Sequence, residues 1–243
     1  ASSFVVSAAG VPIAKHGNRA LSSKTGAADV LTQLGVNLDC KMELVQSSMN
    51  EAGICFLMAP RHHTAMRHVA DTRIQLATRT IFNLLGPIAN PADVTRQLVG
   101  VFSQDWVEPV AKVLKSLGSK RAWVVHGSDG LDEITTTGKT KVASLEDGAV
   151  TIFEIHPSEA GIKLAKPEQL VGGEPEENAN ALLSIFNGER NAYRDIVVLN
   201  SAACLIIAGK AKNLTEGASI ASNMIDNGKA MEKLEALKEI TNR

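Results

Sequence analysis

Four short apolar runs, at residues 11–15, 55–58, 97–102 and 121–126, are separated by stretches whose apolar residues recur at helical spacing. Glycine marks the joints: Gly35 and Gly118 each close a helical stretch, at 26–34 and 107–117. This alternation constrains the fold more than any other feature. Strands and helices taking turns with short connections build βα units, and such units pack as a largely parallel sheet between helical layers. Residues 63–85 read as two helices ending at Gly86-Pro87. The texture then changes at 139–155, where apolar and polar residues alternate around Asp147-Gly148, a dipeptide suited to a tight hairpin. Helical runs follow at 179–186, 196–209, 214–228 and 229–240, the third with Asn213 or Thr215 as its cap. The expected fold is α/β, a three-layer α/β/α arrangement with a mixed, mostly parallel sheet.

The 243 residues suffice for one large domain or two small ones. A formal net charge of −1 gives no global field toward nucleic acid or anionic lipid, so a small-molecule ligand is the default. No apolar run is long enough to span a bilayer. The three cysteines, Cys40, Cys55 and Cys204, lie far apart in apolar surroundings and read as reduced thiols. Residues 1–9 look like the body of an apolar helix without a cap and without the basic flank of a signal peptide. On this reading Ala1 stands in the middle of an element, and the chain is a fragment or a processed form.

Two segments carry chemistry. The first is Lys15-His16-Gly17-Asn18-Arg19-Ala20-Leu21-Ser22-Ser23-Lys24-Thr25-Gly26, which follows an apolar run and precedes a helical one. Glycine lets backbone N–H groups approach an anion, a following helix start adds partial positive charge, and Lys, Arg and hydroxyls complete a phosphate cradle. A solvated polar loop has the same composition. The second holds Asp129, Asp132 and Glu133 after the run at 121–126. Neighbouring carboxylates at a strand end suit a hard cation such as Mg²⁺, which takes one or two carboxylates and completes its shell with substrate phosphates. An acidic pair favoured by a helix dipole is the alternative. Together the two segments fit a Mg²⁺-chelated polyphosphate. The GxxxxGK[ST] loop, the GxGxxG fingerprint and a nucleophile elbow are all absent, which removes support from kinase, dehydrogenase and hydrolase readings.

The run from Lys15 to Asp29 resembles the KHGNR–SSKxGxxD signature of the anthranilate phosphoribosyltransferases. Further matches follow in order: Ala59-Pro60-Arg61-His62-His63, Thr72-Arg73, the segment from Arg79 to Pro91, the loop from Val125 to Glu133, and Gly172-Gly173 with Asn178-Ala179. The resemblance covers essentially the whole chain. It implies an enzyme that uses Mg²⁺ and moves the phosphoribosyl group of 5-phosphoribosyl 1-diphosphate to the amine of anthranilate, releasing pyrophosphate, in tryptophan biosynthesis. It implies that Lys15, His16, Gly17, Asn18, Arg19, Ser22 and Ser23 hold the phosphoribosyl diphosphate. Asn18 would also touch anthranilate, Arg73 would pair with its carboxylate, and His63 would line its path. Asp132 and Glu133 would bind the metal.

A planar guanidinium matches a planar carboxylate, which fits the role implied for Arg73. For His16 a hydrogen bond that orients the loop is preferred to acid–base work. The reduced thiols suit the cytoplasm, and the resemblance further implies a homodimer. Residues 1–243 would form the catalytic domain, and about 63–85 would pack on a small helical subdomain whose N-terminal part is absent. The family's GTGGD loop and Asn-Ile-Ser-Thr segment would precede Ala1, and Ala27 stands where many members carry Ser. Three rivals remain: a pyrimidine nucleoside phosphorylase, which shares the broad fold but lacks the KHGNR run; a relative that binds nucleic acid, which the net charge disfavours; and an inactive fragment.

Overall fold

The computed structural model describes residues 1–19, 24–76, 78 and 80–243, with backbone alone at 67, 70, 71, 73 and 74. The chain begins with helix α1 (Ser2–Ala8), strand β1 (Ile13–Gly17), α2 (Ala27–Gln33) and α3 (Met42–Ser47), whose end widens into a π-turn at Ser48–Ala52. Strand β2 (Ile54–Met58), α4 (Ala59–His62), α5 (Arg67–Leu76) and α6 (Phe82–Ile88) follow. Next come β3 (Arg96–Gly100), α7 (Val107–Ser116), β4 (Arg121–Gly127), β5 (Thr140–Glu146) and β6 (Ala149–Ile155). Four helices close the chain: α8 (Pro175–Phe186), α9 (Ala192–Ile207), α10 (Leu214–Asp226) and α11 (Lys229–Thr241).

The sheet is mixed, as the alternation and the Asp147-Gly148 signal require. β3 pairs parallel with β4, and β5 and β6 continue antiparallel. Asp147 and Gly148 both have positive φ, 48° and 76°, the geometry of a type I′ turn, whose twist matches that of the strands it joins. β1 and β2 form a separate parallel pair. Along β4, Ala122 and Val124 enter a core against α7, while Trp123 and Val125 enter the larger core built with α1 and the C-terminal helices. Alternate side chains are thus buried on opposite faces, which is why the run reads as continuously apolar and why helices cover both sides.

Several boundaries differ from the sequence reading: α8 and α9 begin earlier, at Pro175 and Ala192 rather than 179 and 196, and two differences lie near the chemistry-bearing segments. β1 runs to Gly17 rather than ending at residue 15, because the fully buried β2 holds it in register: Lys15 pairs with Phe56, His16 with Leu57 and Gly17 with Met58. Gly17 fits this pairing because a Cβ there would sit 2.9 Å from the Phe56 ring. α6 continues through Gly86-Pro87, with the proline in its last turn. The helix start near residue 213 is capped by Asn213, whose Oδ1 accepts the Glu216 N–H at 2.9 Å.

Candidate active site

The acidic segment is held from three directions. From below, Asn200 of α9, only 5% exposed, grips Ile134: its Oδ1 accepts the Ile134 N–H (3.1 Å) and its Nδ2 donates to the Ile134 carbonyl (2.8 Å). The same Nδ2 also donates to the Ile196 carbonyl at 2.9 Å, which fixes the amide's orientation. From the side, the Asp132 carbonyl presses on Gly100 at the end of β3, inside the space a Cβ would occupy. Within the loop, Asp129 accepts from Thr135 Oγ1 (2.5 Å), Thr137 Oγ1 (2.6 Å) and the Leu131 N–H (3.2 Å). Burial pushes the Asp129 carboxyl up, but these hydrogen bonds outweigh it, and the group ends below the ordinary carboxylate range.

Asp132 and Glu133 both reach the surface. Glu133 opens to solvent on one side while protein surrounds it on the others. That loss of solvation raises its pKa; the adjacent Asp132 raises it further, and Lys15 pulls it down. Lys15 and Glu133 therefore lie within electrostatic reach although Lys15 stands on β1 and Glu133 follows β4, a strand of the other sheet. Helix α9 holds Ile134 through Asn200 and brings Cys204 near both. Tyr193, pushed up to about 12 by burial and by Glu133, stands toward one end. Cys204, also pushed up to about 12 by burial, feels both Lys15 and Glu133. The donor set is two carboxylates, with no group of three His, Cys, Asp or Glu side chains among the described residues. That suits a hard cation completed by a ligand's own oxygens better than a closed protein cage.

The KHGNR run begins on β1. Lys15 is exposed on β1. The Asn90 Nδ2 donates to the carbonyl of Ala14 (3.0 Å), anchoring the strand just before it. Asn18 Oδ1 accepts the Arg19 N–H at 2.8 Å, and the Arg19 guanidinium lies 3.5 Å from Asp29. Thr25 Oγ1 donates to the Gly173 carbonyl (2.7 Å), tying this run to the start of α8. His16 meets His63 with 3.1 Å between their Nε2 atoms, and the Gly86 backbone lies beside its ring. Burial and His63 lower the His16 pKa, and Gly86 partly opposes them. Arg61 locks α4, the helix before His63, by donating to the carbonyls of Leu38 (3.0 Å) and Cys40 (2.7 Å). Among the residues singled out in the sequence, Ser22, Ser23 and the Arg73 side chain lie outside the described residues. Of the others, Lys15 comes within electrostatic reach of Glu133, which adjoins Asp132, His16 meets His63, and Arg19 pairs with Asp29.

Gly100, Asn200, Arg61 and Asn90 were not singled out for these roles. A polar residue in the middle of the apolar helix at 196–207 was the readable signal for Asn200. Nothing in the sequence alone pairs Gly100 with Asp132.

A sequence profile described as "Glycosyl transferase family, a/b domain" matches residues 1–231. The anthranilate phosphoribosyltransferase of Azospirillum brasilense is 60% identical over 242 residues, covering 100% of this chain and 68% of that protein. The chain belongs to the anthranilate phosphoribosyltransferase family. The crystal structure of the family's Thermus thermophilus member superposes with a TM-score of 0.93 at 41% identity, covering 100% of this chain and 72% of that one. The Saccharomyces cerevisiae enzyme, solved in complex with phosphoribosyl diphosphate (PRPP) and Mg, gives 0.89 at 28% identity, covering 99% of this chain and 69% of that one. The chain thus spans about seven-tenths of the length of these relatives.

Proposed function

We propose that this chain transfers the phosphoribosyl group of 5-phosphoribosyl 1-diphosphate to the amine of anthranilate, giving N-(5-phosphoribosyl)anthranilate and pyrophosphate, the reaction of its family in tryptophan biosynthesis. The observation that carries the reading is that Lys15, on β1, comes within electrostatic reach of Glu133 in the Asp132–Glu133 pair after β4, with Cys204 of α9 near both. The carboxylates Asp132 and Glu133 would hold Mg²⁺. Bound there together with the diphosphate, Mg²⁺ supplies positive charge to the leaving group.

The chain's own residues do the rest by position and charge, without a protein nucleophile. Lys15 faces the departing diphosphate, while Gly17, Asn18, Arg19, Ser22 and Ser23 offer N–H and side-chain donors to its phosphates and to the ribose phosphate. His16 orients this run through Gly86. On the acceptor side, Asn18 and His63 contact anthranilate, and Arg73 pairs with its carboxylate in the bidentate manner open to a guanidinium.

We also assign residues 1–243 to the catalytic domain, with 63–85 packing on a helical subdomain. The exposure of Leu76 (56%), Ile81 (59%) and Leu85 (41%) in that stretch supports a covering partner. A homodimer in the cytoplasm completes the reading. The free thiols Cys40, Cys55 and Cys204 support a reducing compartment, and no helix among the described residues is long and apolar enough to cross a membrane.

The test follows the loss of anthranilate fluorescence with 5-phosphoribosyl 1-diphosphate and Mg²⁺, in the parent and in Asp132→Asn/Glu133→Gln. The parent turns over, and the double variant loses at least ~10²-fold in kcat/KM. Near-parental rates for the double variant at saturating Mg²⁺ would falsify the role given to the pair.

A further inference from the structure

Beyond the separate roles given to them above, His16 and His63 meet each other directly. Their Nε2 atoms face each other at 3.1 Å, with ring centroids 5.0 Å apart and ring planes at 72°. The backbone of Gly86 lies beside the His16 ring and raises its pKa, as an accepting carbonyl does. With its proton on Nδ1 the ring keeps the Nε2 lone pair for a cation, as histidines that ligate metals through Nε2 do. A cation held about 2.05 Å from each nitrogen, the usual Zn–N length, would subtend an angle of roughly 98° across that gap, between square and tetrahedral values.

Both ligands are mounted on anchored elements. β1 carries His16 and is fixed by Asn90 on Ala14 and by the β2 ladder. α4 precedes His63 and is fixed by Arg61 on Leu38 and Cys40. His62 adds a third imidazole within electrostatic reach of the other two. Among the described residues no third protein ligand joins the pair, so water or a ligand atom completes the shell.

We propose that His16 and His63 together bind a borderline divalent cation of the Zn²⁺, Cu²⁺, Ni²⁺ or Co²⁺ type, at a site separate from the carboxylate pair. Imidazole nitrogens select these ions over Mg²⁺, which keeps to oxygen ligands, so Mg²⁺ does not compete for the pair. A bound ion cross-links β1 to the segment after α4 and takes up both Nε2 lone pairs. On the reading under Proposed function, His63 stands on the anthranilate side, so occupation inhibits transfer.

The test titrates Cu²⁺ into the full chain in excess Mg²⁺ and reads nitrogen coordination by electron paramagnetic resonance. The parent shows one copper with two imidazole nitrogens. His63→Ala and His63→Gln each drop to one, with affinity at least tenfold lower, and His16→Asn behaves alike. His156→Ala, on a separate exposed turn, matches the parent. Two variants at position 63, each checked for an unchanged melting profile, separate ligand loss from misfolding. Parental spectra and affinity in the His63 and His16 variants would overturn the proposal, as would failure of the parent to bind copper, which would leave the pair as a plain N–H···N hydrogen bond. Zn²⁺ inhibition of anthranilate consumption, with its midpoint raised at least tenfold in His63→Gln, supports the inhibitory part; a midpoint unmoved by His63→Gln overturns that part. Absence of turnover without added Zn²⁺, with copper binding intact, counts against the phosphoribosyl-transfer reading alone.

Discussion

Replacing Asn200 by Ala removes the clamp under the acidic loop, and the structure sets the size of the effect. Three hydrogen bonds disappear, but they do not count equally. The Ile196 carbonyl keeps its helical partner, the N–H of residue 200 itself, so its loss is small. The Ile134 N–H and carbonyl have Asn200 as their partner, and the Ile134 side chain is fully buried beside them. Leaving two buried backbone groups unpaired costs about 1–3 kcal/mol each, or roughly 2–6 kcal/mol together. A loss of about 3 kcal/mol lowers Tm by roughly 6–12 °C in a chain of this size. Ile134 directly follows Glu133, so the damage also has a direction. The KM for 5-phosphoribosyl 1-diphosphate and the Mg²⁺ requirement rise, while the KM for anthranilate holds. Asn200→Asp is the sharper companion. It keeps the shape but turns a carboxylate oxygen toward the carbonyls of Ile134 and Ile196. Its pKa must rise, so its stability is greatest at low pH, where the protonated acid donates, and is lost as pH rises through that raised value. Calorimetry and steady-state kinetics check both variants. A change below 1 kcal/mol for Asn200→Ala, or a shift confined to the anthranilate KM, would refute the clamp.

Other outcomes follow from the same loop. Gly100→Ala puts a methyl group where the Asp132 carbonyl lies, forcing the loop back by more than ~1 Å to reach normal contact. A displacement of that order is worth about 10²-fold in rate; kcat/KM within threefold of the parent counts against it. Asp129→Asn weakens the Thr135 and Thr137 contacts and costs about 1 kcal/mol near neutrality, a modest figure because the group is well exposed. The Asp129 pKa is lowered on folding, so the parent's advantage is present above about pH 4 and is lost as pH falls through the lowered value. Unfolding curves for parent and variant that stay parallel down to acid would contradict it.

The layers of the fold were legible where a strand or helix advertises its period, though the short α3 at 42–47 was not read, and Asp147-Gly148 marked the hairpin turn. The candidate site was legible where its chemistry is concentrated in one stretch, as in Lys15 to Arg19 or Asp132-Glu133. It was opaque where it depends on pairs distant in sequence. Asn200 acts on Ile134, 66 residues away, and Arg61 acts on Leu38 and Cys40. In sequence, such residues are a polar side chain in an apolar helix or one more surface cation. Only the packing turns them into supports. The end of β1 was misplaced for a related reason: its last residues are polar and look like loop until the apolar face of β2 is laid beside them.

Among the described residues, Lys15 and the carboxylate pair are carried by strands that share no hydrogen-bonded ladder: β1 belongs to one sheet and β4 to the other. The gap between Lys15 and the carboxylates is therefore gauged by side-chain packing on α1 and α9, not by fixed backbone spacing. Side-chain packing can be adjusted in small increments, whereas a strand register moves only in whole residues. Methyl-sized changes on the buried face of α9, remote from any substrate atom, become a fine control on how closely charge meets charge.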